Sequence, residues 1–366
     1  MTDVRAPDIV RSTPAVTCRG LQVEYDGHPV LVDLELTVGA GEVVALLGPS
    51  GSGKTTLLHT VAGFVAPSGG EVWLGDRLVA SADRLEPPER RAVGMVFQNY
   101  ALWPHLSALD TVGYPLRRAG RSRADARAEA LALLDRLRAA HLADRRPSQL
   151  SGGEQQRIGL ARALARRGSV NLFDEPTAHL DASLRATVQE EIADAQRRTG
   201  AAAIYATHDA TEALAVADRL VLLHRGHLVQ TGSPRAVYEQ PVDLWAARLT
   251  GPAFVLRGSA RSGPSGRVVV SVAGVRVDLD VGPPDGVVAD EVNVLVRPDW
   301  TALDGPLPGQ VDRVQYRGAH TDYRLDTPAG RVVVRDAGPP RLQVGDQTTW
   351  RLSRGWLLPP SSGQRD

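Results

Sequence analysis

The chain holds one lysine, Lys54, among 42 basic residues. It lies inside Gly48-Pro-Ser-Gly-Ser-Gly-Lys-Thr55. Arginine serves on almost any solvated surface, but a loop wrapped around a triphosphate needs a compact ammonium on a thin stem, which a planar guanidinium does not replace. The segment has the form G-x-x-x-x-G-K-[ST], with the apolar run 43–47 before it and helical text from Thr56 to Val61 after it, so it predicts strand, loop and helix. In that setting Gly48, Pro49, Ser50, Gly51, Ser52 and Gly53 form a loop whose backbone N–H groups turn toward phosphate oxygens. Lys54 reaches the β- and γ-phosphates, Thr55 holds Mg²⁺, and Thr56 continues a helix whose positive end faces the anion. A plain Gly/Ser turn before an ordinary helix is the blander alternative, disfavoured by the strand and helix on either side.

Two further groups could join this chemistry. Asp174-Glu175 follows the strand-like run Val170-Asn-Leu-Phe173 and precedes Pro176. A carboxylate at a strand end beside a phosphate loop can fix Mg²⁺ through water, and its neighbour can accept a proton from attacking water. Those roles fall to Asp174 and Glu175; in isolation the tripeptide would be only a surface strand end. The second group is Leu150-Ser-Gly-Gly-Glu-Gln-Gln-Arg157, opening a helical run from Ile158 to Arg166. The hydroxyl of Ser151 and the N–H groups of Gly152 and Gly153 at a helix N-terminus make a second anion site. Two phosphate-binding helix ends on one chain point to a nucleotide sandwiched between two subunits.

The elements that must position these residues alternate along the chain. After a flexible tail, residues 1–15, the text from Leu21 to Val38 alternates as strands around a turn at Asp26-Gly27. Residues 101–165 are Ala-, Leu- and Arg-rich, a helical insertion with Leu131, Leu134 and Leu137 expected on one stripe. Strand-like text returns at Val170–Phe173, Ala202–Ala206 and Leu220–Leu223 with helical text between, which implies a mainly parallel sheet covered by helices, an α/β fold. Beyond the Gly251-Pro252 break, short period-2 runs such as 267–272 and 275–281 predict a small all-β, barrel-like domain over residues 256–366.

At 366 residues the chain exceeds one comfortable core. Basic and acidic residues both total 42, so no global field favours nucleic acid. The densest basic run, Arg117, Arg118, Arg121, Arg123 and Arg127, is expected as a solvated helix face. Cys18 is the single cysteine and cannot form an internal disulfide, which suggests a reducing, cytoplasmic setting. Residues 1–12 lack the apolar core of a secretory signal, and no apolar stretch approaches the length of a membrane span.

The order of the phosphate loop, the Leu150–Arg157 stretch and the Asp174-Glu175 pair resembles that of ATP-binding cassette (ABC) proteins over about residues 16–250. The resemblance implies a P-loop nucleotide-binding cassette with ATP and Mg²⁺ as cofactors, working as a homodimer that sandwiches two ATP. It adds roles: Ser151, Gly152, Gly153 and Gln155 as signature contacts to nucleotide, Gln98 on Mg²⁺ and attacking water, His208 at the γ-phosphate, Tyr25 stacked on adenine, and Leu180-Asp181 as the loop crossing the dimer interface. Two departures are Asn171, an amide where the family has an apolar strand residue, and Ala178-His179, where a serine is common.

Ala101-Leu-Trp-Pro-His-Leu106, Thr111-Val-Gly-Tyr-Pro-Leu116 and the stretch from Gln230 through Tyr238-Glu-Gln-Pro241 are similar to importer cassettes serving ferric iron, polyamines and sugars. Arg297-Pro298-Asp299 resembles the TOBE-type regulatory domain those importers carry. The implied function is an ATPase energising solute import, cargo ferric iron or a polyamine, bound to the cytoplasmic face of the membrane through permease subunits and served indirectly by an external solute-binding protein. A soluble non-transport cassette would need a long coiled-coil insertion or a second cassette, and this chain has neither. A tail acting mainly as a solute sensor is the third alternative; the intact catalytic residues argue against regulation alone, though not against a dual role.

Overall fold

Alternation from Leu21 to Val38 produces a hairpin. In the computed structural model, which describes residues 13–166, 168–178, 180–262, 268–272, 275–279 and 289–359, β1 (Val16–Tyr25) and β2 (His28–Val38) pair antiparallel. Asp26 (φ 50°) and Gly27 (φ 77°) make the two-residue turn, whose left-handed conformation matches the twist of the strands. β3 (Val43–Leu47) is buried along its whole length, as a strand covered on both faces must be. The chain then passes through the loop at 48–53 into α1 (Lys54–Ala62).

β4 (Gly69–Leu74), β5 (Arg77–Ser81) and β6 (Arg84–Leu85) extend the hairpin into an antiparallel sheet of order β2-β1-β4-β5-β6. These strands are short and carried no periodic signal. Arg91, 1% exposed, donates to the Thr60 and Val61 carbonyls at the end of α1, to Val79 O and to Glu86 O. A single guanidinium thus satisfies orphan helix carbonyls and ties the phosphate-loop helix to this sheet. Burial lowers its pKa to about 10, still far above neutrality.

β7 (Val93–Val96) precedes the helical insertion, α2 (Ala108–Arg118), α3 (Arg123–Arg136) and α4 (Gly152–Ala165). After it come β8 (Val170–Asp174), α5 (Ala182–Thr199), β9 (Ala202–Thr207), α6 (Ala210–Val216), β10 (Arg219–His224) and β11 (His227–Gly232). The resulting sheet runs β11-β10-β3-β9-β8-β7, parallel except for β11. Alternate strand residues serve two cores. Val44, Leu46, Leu172, Ile204 and Ala206 join Leu57, Leu58 and Val61 of α1 and the antiparallel sheet, whereas Phe173, Ala203 and Tyr205 join the helices of the insertion and α5.

The apolar stripe of α3 differs from the one expected. Ala126, Ala130, Leu133, Leu134 and Leu137 are buried, but Leu131 is 43% exposed. Steps of three alone rotate off a helix face, and the four-residue steps 126, 130 and 134 define the side that packs. Arg117, Arg118, Arg121, Arg123 and Arg127 are all exposed.

The chain divides into two compact units, Met1–Pro234 and Arg235–Asp366. In the second, α7 (Pro234–Glu239) and α8 (Leu244–Thr250) precede β12 (Phe254–Ser262), β13 (Val268–Val272), β14 (Val275–Leu279), β15 (Ala289–Val296), β16 (Thr301–Tyr316), β17 (His320–Thr327), β18 (Gly330–Ala337), β19 (Gln347–Leu352) and β20 (Trp356–Leu358). Two antiparallel sheets, β14-β13-β12-β15-β20 and β18-β17-β16-β19, enclose one core containing Leu256, Val294, Trp300, Tyr323 and Trp350.

The unit boundary precedes the Gly251-Pro252 break because side chains at or just beyond the ends of β15, β19 and β20 hold the segment carrying both helices. Arg297, fully buried, donates to Tyr238 O at 3.1 and 2.8 Å, to Thr250 Oγ1 at 2.9 Å and to Pro252 O at 3.3 Å, with its guanidinium 3.8 Å from the Tyr238 ring centre. Arg354 pairs with Glu239, and Trp356 Nε1 donates to Pro241 O at 3.0 Å.

Candidate nucleotide site

β3, β9 and β8 are neighbours, and their register aligns their carboxyl ends: Leu47 pairs with Thr207, and Ala206 with Asp174. The segments that leave those ends carry Gly48–Gly53, His208 and Glu175. Separate stretches of sequence therefore converge on one sheet edge, the position at which open α/β sheets bind ligands.

The phosphate loop depends on glycine at two positions. Gly53 (φ 105°) caps α1 without a side-chain hydrogen bond, and a Cβ there would lie 2.7 Å from Leu31 Cδ2. At Gly48 a Cβ would lie 2.3 Å from Leu223 O. Lys54, 6% exposed, donates from Nζ to Gly48 O at 2.8 Å and Pro49 O at 3.0 Å, so the ammonium is held across its own loop. Burial lowers its pKa, against the attraction of Glu175 and Asp174.

Thr55 Oγ1 donates to Asp174 Oδ1 at 3.2 Å. Asp174 is 2% exposed, and its Oδ2 is buried with no hydrogen-bond partner. Burial raises the Asp174 pKa, opposed by the Thr55 hydrogen bond and by His59 and Lys54. A buried carboxylate oxygen left unpaired is costly in a resting protein, and it fits a site built to receive a cation. Among the described residues no cluster of three or more His, Cys, Asp or Glu side chains forms a cage. One carboxylate and one hydroxyl suit Mg²⁺, which keeps waters and takes phosphate oxygens as its remaining ligands.

Glu175 ends the strand in a left-handed conformation (φ 48°), with its N–H bonded to Ala206 O at 2.9 Å. Such a backbone costs about 1–3 kcal/mol and is over-determined by its surroundings. Here Gln156 Nε2 of α4 adds a hydrogen bond to Glu175 O at 3.1 Å. The turn brings Glu175 Oε1 to 3.0 Å from His208 Nδ1. Lys54, Thr55, Asp174, Glu175 and His208 thus form one connected group.

Among the described residues Ser151, Gln155, Tyr25 and Gln98 make no hydrogen bond to this group. Ser151 caps α4 and forms a reciprocal capping box with Glu154, whose carboxylate accepts from Ser151 N at 2.7 Å. Gln155 turns its amide to the Pro147 and Leu150 carbonyls. Tyr25, 45% exposed, stands at the β1–β2 turn, and Gln98 is exposed two residues beyond β7. Asp181 caps α5 through Leu184 N at 2.9 Å; His179 is outside the described residues. Asn171 is buried with Oδ1 unpaired, packed where a Cβ on Gly94 would approach it to 2.7 Å.

Sequence reasoning missed Arg162. From within α4 it donates to Ala101 O at 2.5 Å and Tyr100 O at 3.1 Å, and its guanidinium lies 5.4 Å from the Trp103 ring centre. Tyr100 (φ 61°) and Ala101 (φ 44°) are both left-handed, so Arg162 pins a strained loop just after Gln98. An arginine inside the apolar run Leu160-Ala-Arg-Ala-Leu164 was the available signal, since a buried guanidinium demands partners.

The parallel sheet, phosphate loop and strand-end carboxylates define a P-loop ATPase of the cassette class. Residues 31–178 match the ABC transporter family and residues 294–358 the TOBE domain. The spermidine/putrescine import ATP-binding protein PotA of Frankia alni is 39% identical over 342 residues, covering 88% of this chain and 73% of that protein. The Fe(3+) ions import ATP-binding protein FbpC of Agrobacterium fabrum is 38% identical over 328 residues, covering 88% and 90%. Among solved structures, the ATP-binding cassette MJ0796, in a dimeric post-hydrolysis state bound to ADP and Pi, aligns with TM-score 0.55 at 30% identity, over 60% of this chain and 99% of that one. This chain belongs to the ABC transporter family, as an ATP-binding subunit of importer type with a C-terminal TOBE domain.

Proposed function

We propose that the chain hydrolyses ATP to energise solute import through a separate membrane permease, with ferric iron or a polyamine as cargo. The observation that carries this reading is the convergence of Lys54, Thr55, Asp174, Glu175 and His208 at one sheet edge. Gly48 to Gly53 cradle the phosphates, Thr56 continues the helix behind them, and Lys54 exchanges its two loop carbonyls for the β- and γ-phosphates. Mg²⁺ held by Thr55, Asp174 and Gln98 would neutralise charge developing on the phosphate oxygens. Glu175 accepts the proton of attacking water. His208 holds Glu175 and meets the γ-phosphate, while Tyr25 stacks on adenine.

Ser151, Gly152, Gly153 and Gln155 of a second copy would close over nucleotide bound at Lys54, which makes the working unit a homodimer with two ATP. The permease would seat near Trp103 to His105, where the Trp103 ring packs 5.0 Å from that of Tyr114, itself 41% exposed. Among the described residues no helix is long and apolar enough to cross a membrane, so the chain would sit peripherally on the cytoplasmic face, with an external binding protein supplying solute. The balance of 42 basic and 42 acidic residues supports no nucleic-acid role. The iron and polyamine relatives motivate the cargo.

Glu175→Gln tests the reading: it should bind ATP, slow turnover by roughly 10²-fold or more and accumulate as an ATP-bound dimer. Wild-type hydrolysis by that variant refutes the catalytic assignment. Uptake of labelled ferric iron and of labelled spermidine by cells lacking the gene separates the two cargoes, and unchanged uptake of both rejects them.

A further inference from the structure

Glu212 of α6 is 5% exposed. Its hydrogen-bond partners among the described residues are neutral: Oε1 accepts from Tyr205 OH at 2.5 Å, from Thr177 Oγ1 and from Gln189 Nε2 at 3.4 Å, and Oε2 accepts from Thr207 Oγ1 at 2.5 Å. Burying a carboxylate is unfavourable, and an apolar residue of similar volume would fill the same space at less cost. Where the donors lie accounts for the charge. Thr177 is two residues after Glu175, in the segment leading to Leu180-Asp181. Thr207 directly precedes His208, and its Oγ1 also accepts from Asp209 N at 3.0 Å. Asp209 Oδ1 in turn accepts from Glu212 N at 3.3 Å. Tyr205 and Gln189 come from the bodies of β9 and α5 and hold the carboxylate itself.

We propose that Glu212 is a positioning residue for hydrolysis: its carboxylate ties the segment after Glu175 to the residue before His208, and so sets the 3.0 Å spacing between those two side chains. The proposal rests on the reading of Glu175 as the general base. A base displaced by even an ångström loses turnover without losing nucleotide, because Lys54 and the phosphate loop sit on a different strand end.

The test compares Thr177→Val, Thr207→Val, Glu212→Gln and Tyr205→Phe in the full chain, with Glu175→Gln alongside. The two valine variants each cut one arm and nearly keep side-chain shape, so they serve even if Glu212→Gln fails to fold. They should lower kcat roughly 10- to 100-fold while KM for ATP stays within about twofold of wild type, the small change expected when nucleotide binding is untouched. Tyr205→Phe removes a donor that lies on neither arm; it should lower the melting temperature comparably and keep kcat. Wild-type kcat in folded Thr177→Val and Thr207→Val, or an equal kcat loss in Tyr205→Phe, overturns the positioning role while an inactive Glu175→Gln leaves the base assignment standing. Normal hydrolysis by Glu175→Gln overturns both.

Discussion

Replacing Lys54 with arginine keeps the charge and changes the shape, which isolates what this position requires. Nζ now meets Gly48 O at 2.8 Å and Pro49 O at 3.0 Å from a site 6% exposed. A guanidinium is wider, and the loop cannot shift to admit it: Gly48 is closed in by Leu223 O and Ser52 Oγ, and Gly53 by Leu31 and the Val30 carbonyl. The arginine must therefore leave the loop or distort it, and either way the point charge at the β/γ-phosphates is lost. Losing one such donor removes about 3 kcal/mol of transition-state stabilisation, roughly a 10²-fold drop in kcat at about 1.4 kcal/mol per decade. Stability should change by no more than about 1 kcal/mol, because the two lost hydrogen bonds are to loop carbonyls that water can serve. Phosphate release at saturating ATP and Mg²⁺, with circular dichroism melting as the folding control, measures both quantities. A folded Lys54→Arg with wild-type turnover would refute the reasoning and leave the single lysine as composition alone.

Asp174→Asn should abolish Mg²⁺-dependent hydrolysis while stabilising the nucleotide-free protein by about 1 kcal/mol, since it removes an unpaired buried charge. The Asp174 pKa is raised by burial, so the folded state binds the proton more tightly and stability falls as pH rises from the ordinary value of 3.8 through the folded one; subtracting the melting profile of Asp174→Asn should isolate that dependence, and identical profiles reject it. Arg297→Leu should destabilise the second unit by a few kcal/mol, at about 1–3 kcal/mol for each buried acceptor left unpaired, leaving ATP binding by the first unit unchanged in nucleotide titration. A chain ending at residue 234 should bind and hydrolyse ATP; one ending at residue 250 should aggregate more, because α7 and α8 lose Arg297, Arg354 and Trp356. Loss of ATP binding in a folded 1–234 fragment would show that the second unit shapes the nucleotide site.

What the sequence alone determined is what depends on neighbours along the chain. The phosphate loop is contiguous and its motif is complete within the chain segment that carries it, so residues 43–61 were legible as strand, loop and helix. The β1–β2 hairpin was legible for the same reason, through alternation and an Asp-Gly turn, and so were the buried parallel strands β8, β9 and β10. Short edge strands such as β4 to β6 carry too few residues for a period to appear, and the face of α3 turned on which helix packed against it, so Leu131 was misplaced.

Tertiary structure alone decided which distant residues meet. Only the strand order β3-β9-β8 puts Lys54, His208 and Asp174-Glu175 on one edge, and no local pattern encodes that order; the family resemblance supplied roles for these residues but not the order of the strands. The buried charges Arg91 and Glu212 read in sequence as ordinary surface residues, and neither the apolar run around Arg162 nor the Arg297-Pro298-Asp299 motif tells which groups those arginines meet. Their meaning appears only when folding surrounds each with carbonyls or hydroxyls, because a desolvated charge must be satisfied by groups far away in the chain. The same physics moved the unit boundary to residue 234, where hydrogen bonds from Arg297 outweigh the Gly251-Pro252 punctuation.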